Sequence, residues 1–394
     1  MRAALRVISA AVPTVLLATL LAACASQPAT DRATRFQAEI DRIRQQYGFP
    51  GMTAAYVLRD GTSISAASGL ADVEAKVPMA DHPRMLAAST GKSFVGALCI
   101  ALALEGRLSL DDPVSRWLGK YDWFKRVPNH ESMTLRHLLT HSAGLPDHVH
   151  MEAFQKTFAR EWRASANPFP PKRLVGFILD KPALFPAGQG WAYTDTGYIL
   201  AGMITEEVTG HTYYDEIRKR FLDPLRLRDT SPANRRDLDR LAAGYMRPDN
   251  PFGLPAKTLD KNNHLHWHPG VEWTGGGLVS SSRDLAHWGA ALYTGKAMPG
   301  DYLPELFRSV EIDPKVPDVR YGAGVAIHTS DRFGPVYGHA GWIPGYISSF
   351  RHYRNSGITI AFQVNTDKGV FDSDKNVLRN IEERLMQVLI RDNE

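Results

Sequence analysis

Ser89 and Lys92 stand three residues apart in AASTGKSF, Ala87 to Phe94, directly ahead of the apolar run FVGALCIALALEG. On a helix that spacing puts a hydroxyl and an amine on one face, within reach of each other. A serine hydroxyl is a poor nucleophile until a base takes its proton, and a lysine kept neutral by burial or by nearby cations can be that base. The start of a helix also offers backbone N–H groups to whatever binds there. A plainer reading fits the same residues: Ser89 as an N-cap and Lys92 as a solvated first-turn residue. The pair alone does not choose between them.

Two later segments carry residue types that suit the first reading. FPAGQGWAYTDTGYILAGMITEEVTG runs from a Pro/Gly-rich turn through Tyr193 into a helix that should end near Gly210. VYGHAGWIPGY sets His339 and Gly341 in a glycine-rich strand. STGK at 89–92, YTD at 193–195 and HAG at 339–341, in that order, resemble the serine β-lactamase and penicillin-binding protein superfamily. The likeness is to its class C-like branch of D-alanyl-D-alanine carboxypeptidases, esterases and class C β-lactamases. LLTHSAGLP at 138–146 and GGGLVSSSRDL at 275–285 are similar to segments between the family's motifs, and the resemblance spans roughly residues 36–390.

The resemblance implies that Ser89 forms an acyl-enzyme while Lys92 and Tyr193 take and return protons as general base and acid. It implies an oxyanion hole from the backbone N–H groups of Ser89 and Trp342, with Asp195, His339, Gly341 and Trp342 binding substrate. It requires no metal and no organic cofactor. The expected partner is a small-molecule or peptide substrate.

The chain departs from the family pattern at two of these positions. Asp195 replaces the usual asparagine, losing two N–H donors and adding a carboxylate. It could hold Lys92, favour a cationic substrate, or merely cap a helix starting near Thr196. His339 replaces the lysine of class C β-lactamases, so a fixed charge becomes one that depends on pH. Both changes weaken the case for carboxylate-anchored substrates such as β-lactams. The leading expectation is a serine hydrolase acting on an ester or amide. A D-alanyl-D-alanine carboxypeptidase or β-lactamase, and a non-catalytic cell-envelope binding protein, are the competing readings.

These side chains need a scaffold that brings distant segments together. Phe36, Ile40, Ile43 and Tyr47 follow helical spacing and Gly48 suits that helix's end. AAYVLRDGTSISAASG predicts a hairpin around Asp60-Gly61, and GYISSFRHYRNSGITIAFQVN another near Asn355-Ser356-Gly357. Leu378, Ile381, Leu385 and Leu389 predict a closing amphipathic helix. The expected fold is α/β of the α+β type: an antiparallel sheet formed by both termini and flanked by helices, with a mostly helical inserted domain. The sheet part would span about 36–115 and 276–394, and the insertion about 116–275.

Arg2 and Arg6 precede an apolar stretch, Val7 to Ala23, that reads as a signal peptide over residues 1–23. Small residues directly before Cys24 resemble a lipoprotein lipobox, which implies a lipid on Cys24 and a tether through residue 35. The expected location is the periplasmic side of a bacterial cell envelope, with the membrane contacted through that lipid. The formal charge of +4 gives no reason to expect nucleic acid as a partner. Cys99, within the apolar run, reads as a buried inert thiol. His264, His266 and His268 alternate but sit among loop residues. His137 and His141, four apart on an expected helix, lack the glutamate of a zinc motif, so packing and capping are favoured. Trp267, Trp273 and the loops at 167–171 and 248–255 are candidates for cleft walls.

Overall fold

The computed structural model describes residues 27–79, 83–164, 166, 169–370 and 376–390. Cys24 and the expected signal peptide lie outside them. Nine antiparallel strands form the main sheet: β1 Gly51–Val57, β2 Ser63–Asp72, β3 Val77–Pro78, β4 Val310–Glu311, β5 Val319–Tyr321, β6 Ala326–His328, β7 Val336–Ile343, β8 Tyr346–Tyr353 and β9 Ile358–Val364. Their spatial order is β3-β2-β1-β9-β8-β7-β6-β5-β4. The N-terminal β1 pairs with the C-terminal β9 from Met52 opposite Val364 to Val57 opposite Thr359, so the two ends of the chain do close one sheet. Both expected hairpins form, and their turns place Gly61 and Gly357 at positive φ.

Alternation along the strands feeds two separate cores. Met52, Ala54 and Tyr56 of β1 and Ile358, Ile360, Phe362 and Val364 of β9 face one layer, with α1 (Gln27–Tyr47) and the C-terminal helix Val377–Ile390 packed over it. That helix presents Ile381, Leu385 and Leu389 as its spacing predicted. The opposite face joins a larger core with α2 (Lys92–Leu104), α3 (Asp195–Thr209) and α4 (Ser282–Tyr293). Because α2 is apolar all round, burial on every side is its stable placement. It ends in a Schellman turn, Arg107 N–H to Leu102 O and Gly106 N–H to Ala103 O, with Gly106 at φ 70°.

Three local expectations are corrected. Residues 27–35 of the expected tether belong to helix α1; residues 31–35, Asp-Arg-Ala-Thr-Arg, carry no glycine or proline to stop it and no apolar stripe to announce it. The insertion is helical up to Leu222 and again only in short 3-10 turns at Pro269–Val271 and Trp273–Gly275. Residues 223–268 contain no helix and are held by side chain to backbone bonds, such as Arg236 Nε to Leu265 O at 2.5 Å and Gly244 N–H to Thr258 Oγ1 at 2.7 Å. His141 lies beyond the short helix Leu135–Leu139, at φ 58°. No helix among the described residues is long and apolar enough to cross a membrane.

Candidate active site

Ser89 belongs to a 3-10 turn, Ala88–Gly91, that leads into α2. No side chain caps either segment, which removes the N-cap reading of Ser89. Ala88, immediately before it, is held at φ 51°, a left-handed conformation that a non-glycine residue keeps only when its surroundings impose it. Strand β7 is one of those surroundings. A Cβ on Gly341 would lie 2.5 Å from Ala87 O, 2.6 Å from Ser348 Oγ and 3.0 Å from Ser89 N, so only glycine lets the strand press against the serine's backbone.

Lys92 is fully buried, not solvated. Its Nζ donates to Ser89 Oγ at 3.0 Å, to Asp195 Oδ1 and to the carbonyl of Gly275. The rings of Tyr193 and Tyr198 lie with centroids 5.0 and 5.4 Å from Nζ. Burial alone would lower the lysine pKa, but the adjacent Asp195 carboxylate and the Tyr193 hydroxyl outweigh it and hold the amine above the usual lysine range. The amine therefore stands as an ammonium in this arrangement.

Tyr193 precedes α3 and lines the same cleft. Its hydroxyl is buried beside Lys92 and Ser89. Burial pushes its pKa up to about 12, a rise that nearby Lys92 partly offsets. Asp195 is the first residue of α3, not its cap. The N-cap is Thr194, whose hydroxyl donates to Pro146 O at 3.1 Å and caps nothing, and Asp147 instead accepts the Asp195 N–H at 3.1 Å. This overturns the capping reading: the Asp195 carboxylate is turned to Lys92.

His339 does not act as a pH-dependent cation. Burial and the Lys92 charge push its pKa down to about 3, so the imidazole is neutral at ordinary pH. Its Nε2 pairs with the Tyr321 hydroxyl at 2.7 Å. Trp342 follows in the cleft wall, its indole N–H donating to Asp367 at 3.1 Å. Ser89, Tyr193, Asp195, Glu272, His339 and Trp342 thus share one cleft of about 230 Å³. A smaller apolar recess adjoins it through Phe252, Glu272 and Ile343, and Phe158 and Trp267 line that recess. Loop 248–255 therefore does border the cleft.

Several contributors escaped the sequence reading. His141, assigned to packing or capping, does pack, and it packs on the candidate site: its ring lies 4.2 Å from that of Tyr193 and its Nδ1 accepts the Thr194 N–H at 3.2 Å. It supports the tyrosine segment from behind. Asp147 also bonds His150 at 2.8 Å; burial opposes its ionisation, but that bond and His148 hold its pKa below the usual carboxylate range. Glu272 has no hydrogen-bond or ion-pair partner among the described residues, and burial followed by repulsion from Asp195 pushes its pKa up to about 8. A signal existed for these residues: His141 lies within LLTHSAGLP, Asp147 follows it, and Glu272 stands three residues before GGGLVSSSRDL. Elsewhere, His137 does cap its helix through the Thr134 N–H, and burial pushes the Cys99 thiol up to about 12. His268 accepts the Gly270 N–H at 3.2 Å within its loop.

A two-terminus sheet, a helix led by a strained serine turn, and a buried lysine beside that serine define a serine hydrolase of the β-lactamase and penicillin-binding class. The chain belongs to the Beta-lactamase family, whose model matches residues 36–382. It is similar to penicillin-binding protein 4* of Bacillus subtilis, 27% identical over 312 residues that cover 76% of this chain and 64% of that protein. Esterase EstB of Burkholderia gladioli is 27% identical over 340 residues, 82% of this chain and 81% of the relative. Among solved structures, D-amino acid amidase from Ochrobactrum anthropi SV3, complexed with L-phenylalanine amide, superposes with a TM-score of 0.76 at 25% identity, covering 92% of this chain and 100% of that one. D-stereospecific amidohydrolase from a Streptomyces species gives 0.72 at 27% identity, covering 88% and 97%.

Proposed function

We propose that this enzyme cleaves an ester or amide through an acyl intermediate on Ser89, with Lys92 and Tyr193 managing the protons. The observation that carries the reading is the Lys92 Nζ to Ser89 Oγ bond of 3.0 Å at the floor of a cleft that Tyr193 also lines. Ser89 attacks the carbonyl carbon, and the resulting oxyanion sits against the backbone N–H groups of Ser89 and Trp342. A donor of that kind is commonly worth about 3 to 4 kcal/mol to the transition state.

The cleft chemistry argues for a substrate without a carboxylate anchor. Asp195 and Glu272 line it, His339 is neutral, and among the described residues the one other basic side chain in its wall, His150, is tied to Asp147. This ranks esters and amino-acid or peptide amides above β-lactams and C-terminal D-alanine peptides, although the likeness to a penicillin-binding protein keeps the latter as the second reading. Residues 1–24 support export and a lipid on Cys24, with the enzyme on the periplasmic side of the envelope.

A fluorophosphonate probe followed by intact-mass measurement should add one label, absent in Ser89→Ala. A folded protein that takes no label, or a Ser89→Ala variant that still hydrolyses p-nitrophenyl butyrate, removes Ser89 from the chemistry. A panel of esters, D-amino acid amides, a D-alanyl-D-alanine peptide and a chromogenic β-lactam then ranks the substrates.

A further inference from the structure

Lys92 presents a chemical difficulty. An ammonium has three N–H bonds, and the three acceptors on Nζ, namely Ser89 Oγ, Asp195 Oδ1 and Gly275 O, occupy all of them. In that state the nitrogen has no lone pair, so the group bonded to the serine is a donor and cannot accept the serine's proton. Tyr193 lies beside both groups, but burial pushes its pKa up to about 12 and keeps it a protonated phenol, which can give a proton back but cannot take the serine's. Lysine can take a proton from Ser89 only by handing one of its own to another group. Of its acceptors, a backbone carbonyl is far too weak a base, which leaves the carboxylate.

Asp195 is fixed for such an exchange. Its backbone N–H is held by Asp147 at 3.1 Å, and the preceding Thr194 N–H by His141 at 3.2 Å. The loop at Gly275 closes on it, so that a Cβ on Gly275 would lie 3.5 Å from Asp195 Oδ1. The side chain is only 16% exposed and Lys92 not at all, so little water competes for the proton.

We propose that Asp195 is the terminal acceptor of a Ser89–Lys92–Asp195 proton relay, a positioning residue that acts through Lys92 and lets an amine whose hydrogens are all engaged serve as the base. The inference rests on Ser89 being the nucleophile. As Ser89 Oγ bonds to the carbonyl carbon, its proton moves to Nζ and one Nζ proton moves to Asp195 Oδ1. The carbonyl π pair goes to the oxygen. Lys92 stays cationic and Asp195 becomes neutral. On collapse, the bond to the leaving group breaks with its electron pair; that group takes a proton from Nζ, and Asp195 returns its proton to the lysine. Water then repeats the sequence in place of the serine. An amide at this position accepts a hydrogen bond but no proton, so the family's usual asparagine requires a lysine that ionises unaided.

The test is the pH dependence of kcat/KM for p-nitrophenyl butyrate. Asp195→Asn should lose about 100-fold at pH 7, the low end of what one proton acceptor supplies. It should recover only toward the range where a lysine ammonium ionises, roughly pH 10. Asp195→Glu should restore the wild-type profile at reduced amplitude. A uniform loss with an unmoved profile, or no loss at pH 7, overturns the relay. A second measurement needs only the wild-type enzyme: a proton inventory of kcat/KM in H2O/D2O mixtures. A bowed plot, two protons in flight, is expected, and a straight line overturns the relay even if Asp195→Asn fails to fold. Labelling at Ser89 separates the failures, because a labelled enzyme with a straight inventory loses the relay and keeps the nucleophile.

Discussion

Glu272 shows at the scale of one residue how this cleft trades stability for its charge arrangement. Its carboxyl has no ion-pair partner among the described residues, and burial and repulsion from Asp195 outweigh the weaker pull of Lys92, so its pKa rises from 4.5 to about 8. Between those values the folded protein keeps a proton that the unfolded chain has released. The folded state binds more protons there, so stability falls as pH rises through that window, and the slope ends above about 8. Glu272→Gln removes the titration. Its melting temperature relative to wild type should therefore climb between pH 5 and pH 8, and a difference that stays constant would show that Glu272 does not titrate in that range. Of the residues in this neighbourhood, Ser89, Lys92, Tyr193, Asp195, His339, Gly341 and Trp342 were legible because they stand in or beside ordered motifs. Glu272, Asp147 and His141 were not, because each matters through a neighbour distant in sequence. What His339 does was misread for the same reason: its protonation is set by burial and by Lys92, neither of which a tripeptide reveals.

At the scale of elements, the site depends on how closely β7 meets the turn ahead of α2. Gly341→Ala would drive a methyl group into Ala87 O and Ser348 Oγ at 2.5 and 2.6 Å. Neither neighbour has a flexible end that can yield cheaply. The substitution should cost about 1 to 3 kcal/mol in urea denaturation, as overpacking does, and should slow acylation by p-nitrophenyl butyrate because Ser89 N moves with the strand. Unchanged stability together with unchanged acylation would mean the two elements are less tightly apposed. The hairpins at Asp60-Gly61 and Asn355-Ser356-Gly357 were readable because turn chemistry is local. The helical state of residues 27–35 was not, since Pro28, Thr30, Asp31 and Thr34 are weak helix formers and the segment lacks the apolar stripe that marks an amphipathic helix. The coil at 223–268 was taken into a helical insertion for want of any pattern of its own; its order comes from bonds such as Arg236 to Leu265 O.

Across the whole molecule, the larger core runs without interruption from Ala55 and Phe350 of the sheet through α2 to Leu138, Ile199 and Phe158 of the insertion. Two subdomains that share one apolar interior should not unfold separately. Urea unfolding followed by tryptophan fluorescence and by far-UV circular dichroism should give coincident single transitions, whereas two separated midpoints would show that the insertion folds on its own. The cleft lies along this shared interior, where α2, the start of α3 and β7 converge, so that keeping the candidate catalytic groups in place and keeping the core intact are the same requirement.

The amino-acid sequence by itself determined the family, the closure of one sheet by the two ends, and the candidate serine, lysine and tyrosine, because motif order, turn residues and apolar periodicity are properties of neighbours along the chain. Tertiary structure alone decided that Lys92 is a buried ammonium, that Asp195 faces it instead of capping a helix, and that His339 is neutral. Those are statements about charge in a particular dielectric at a particular distance, and both quantities exist only once segments about a hundred or more residues apart have been packed together.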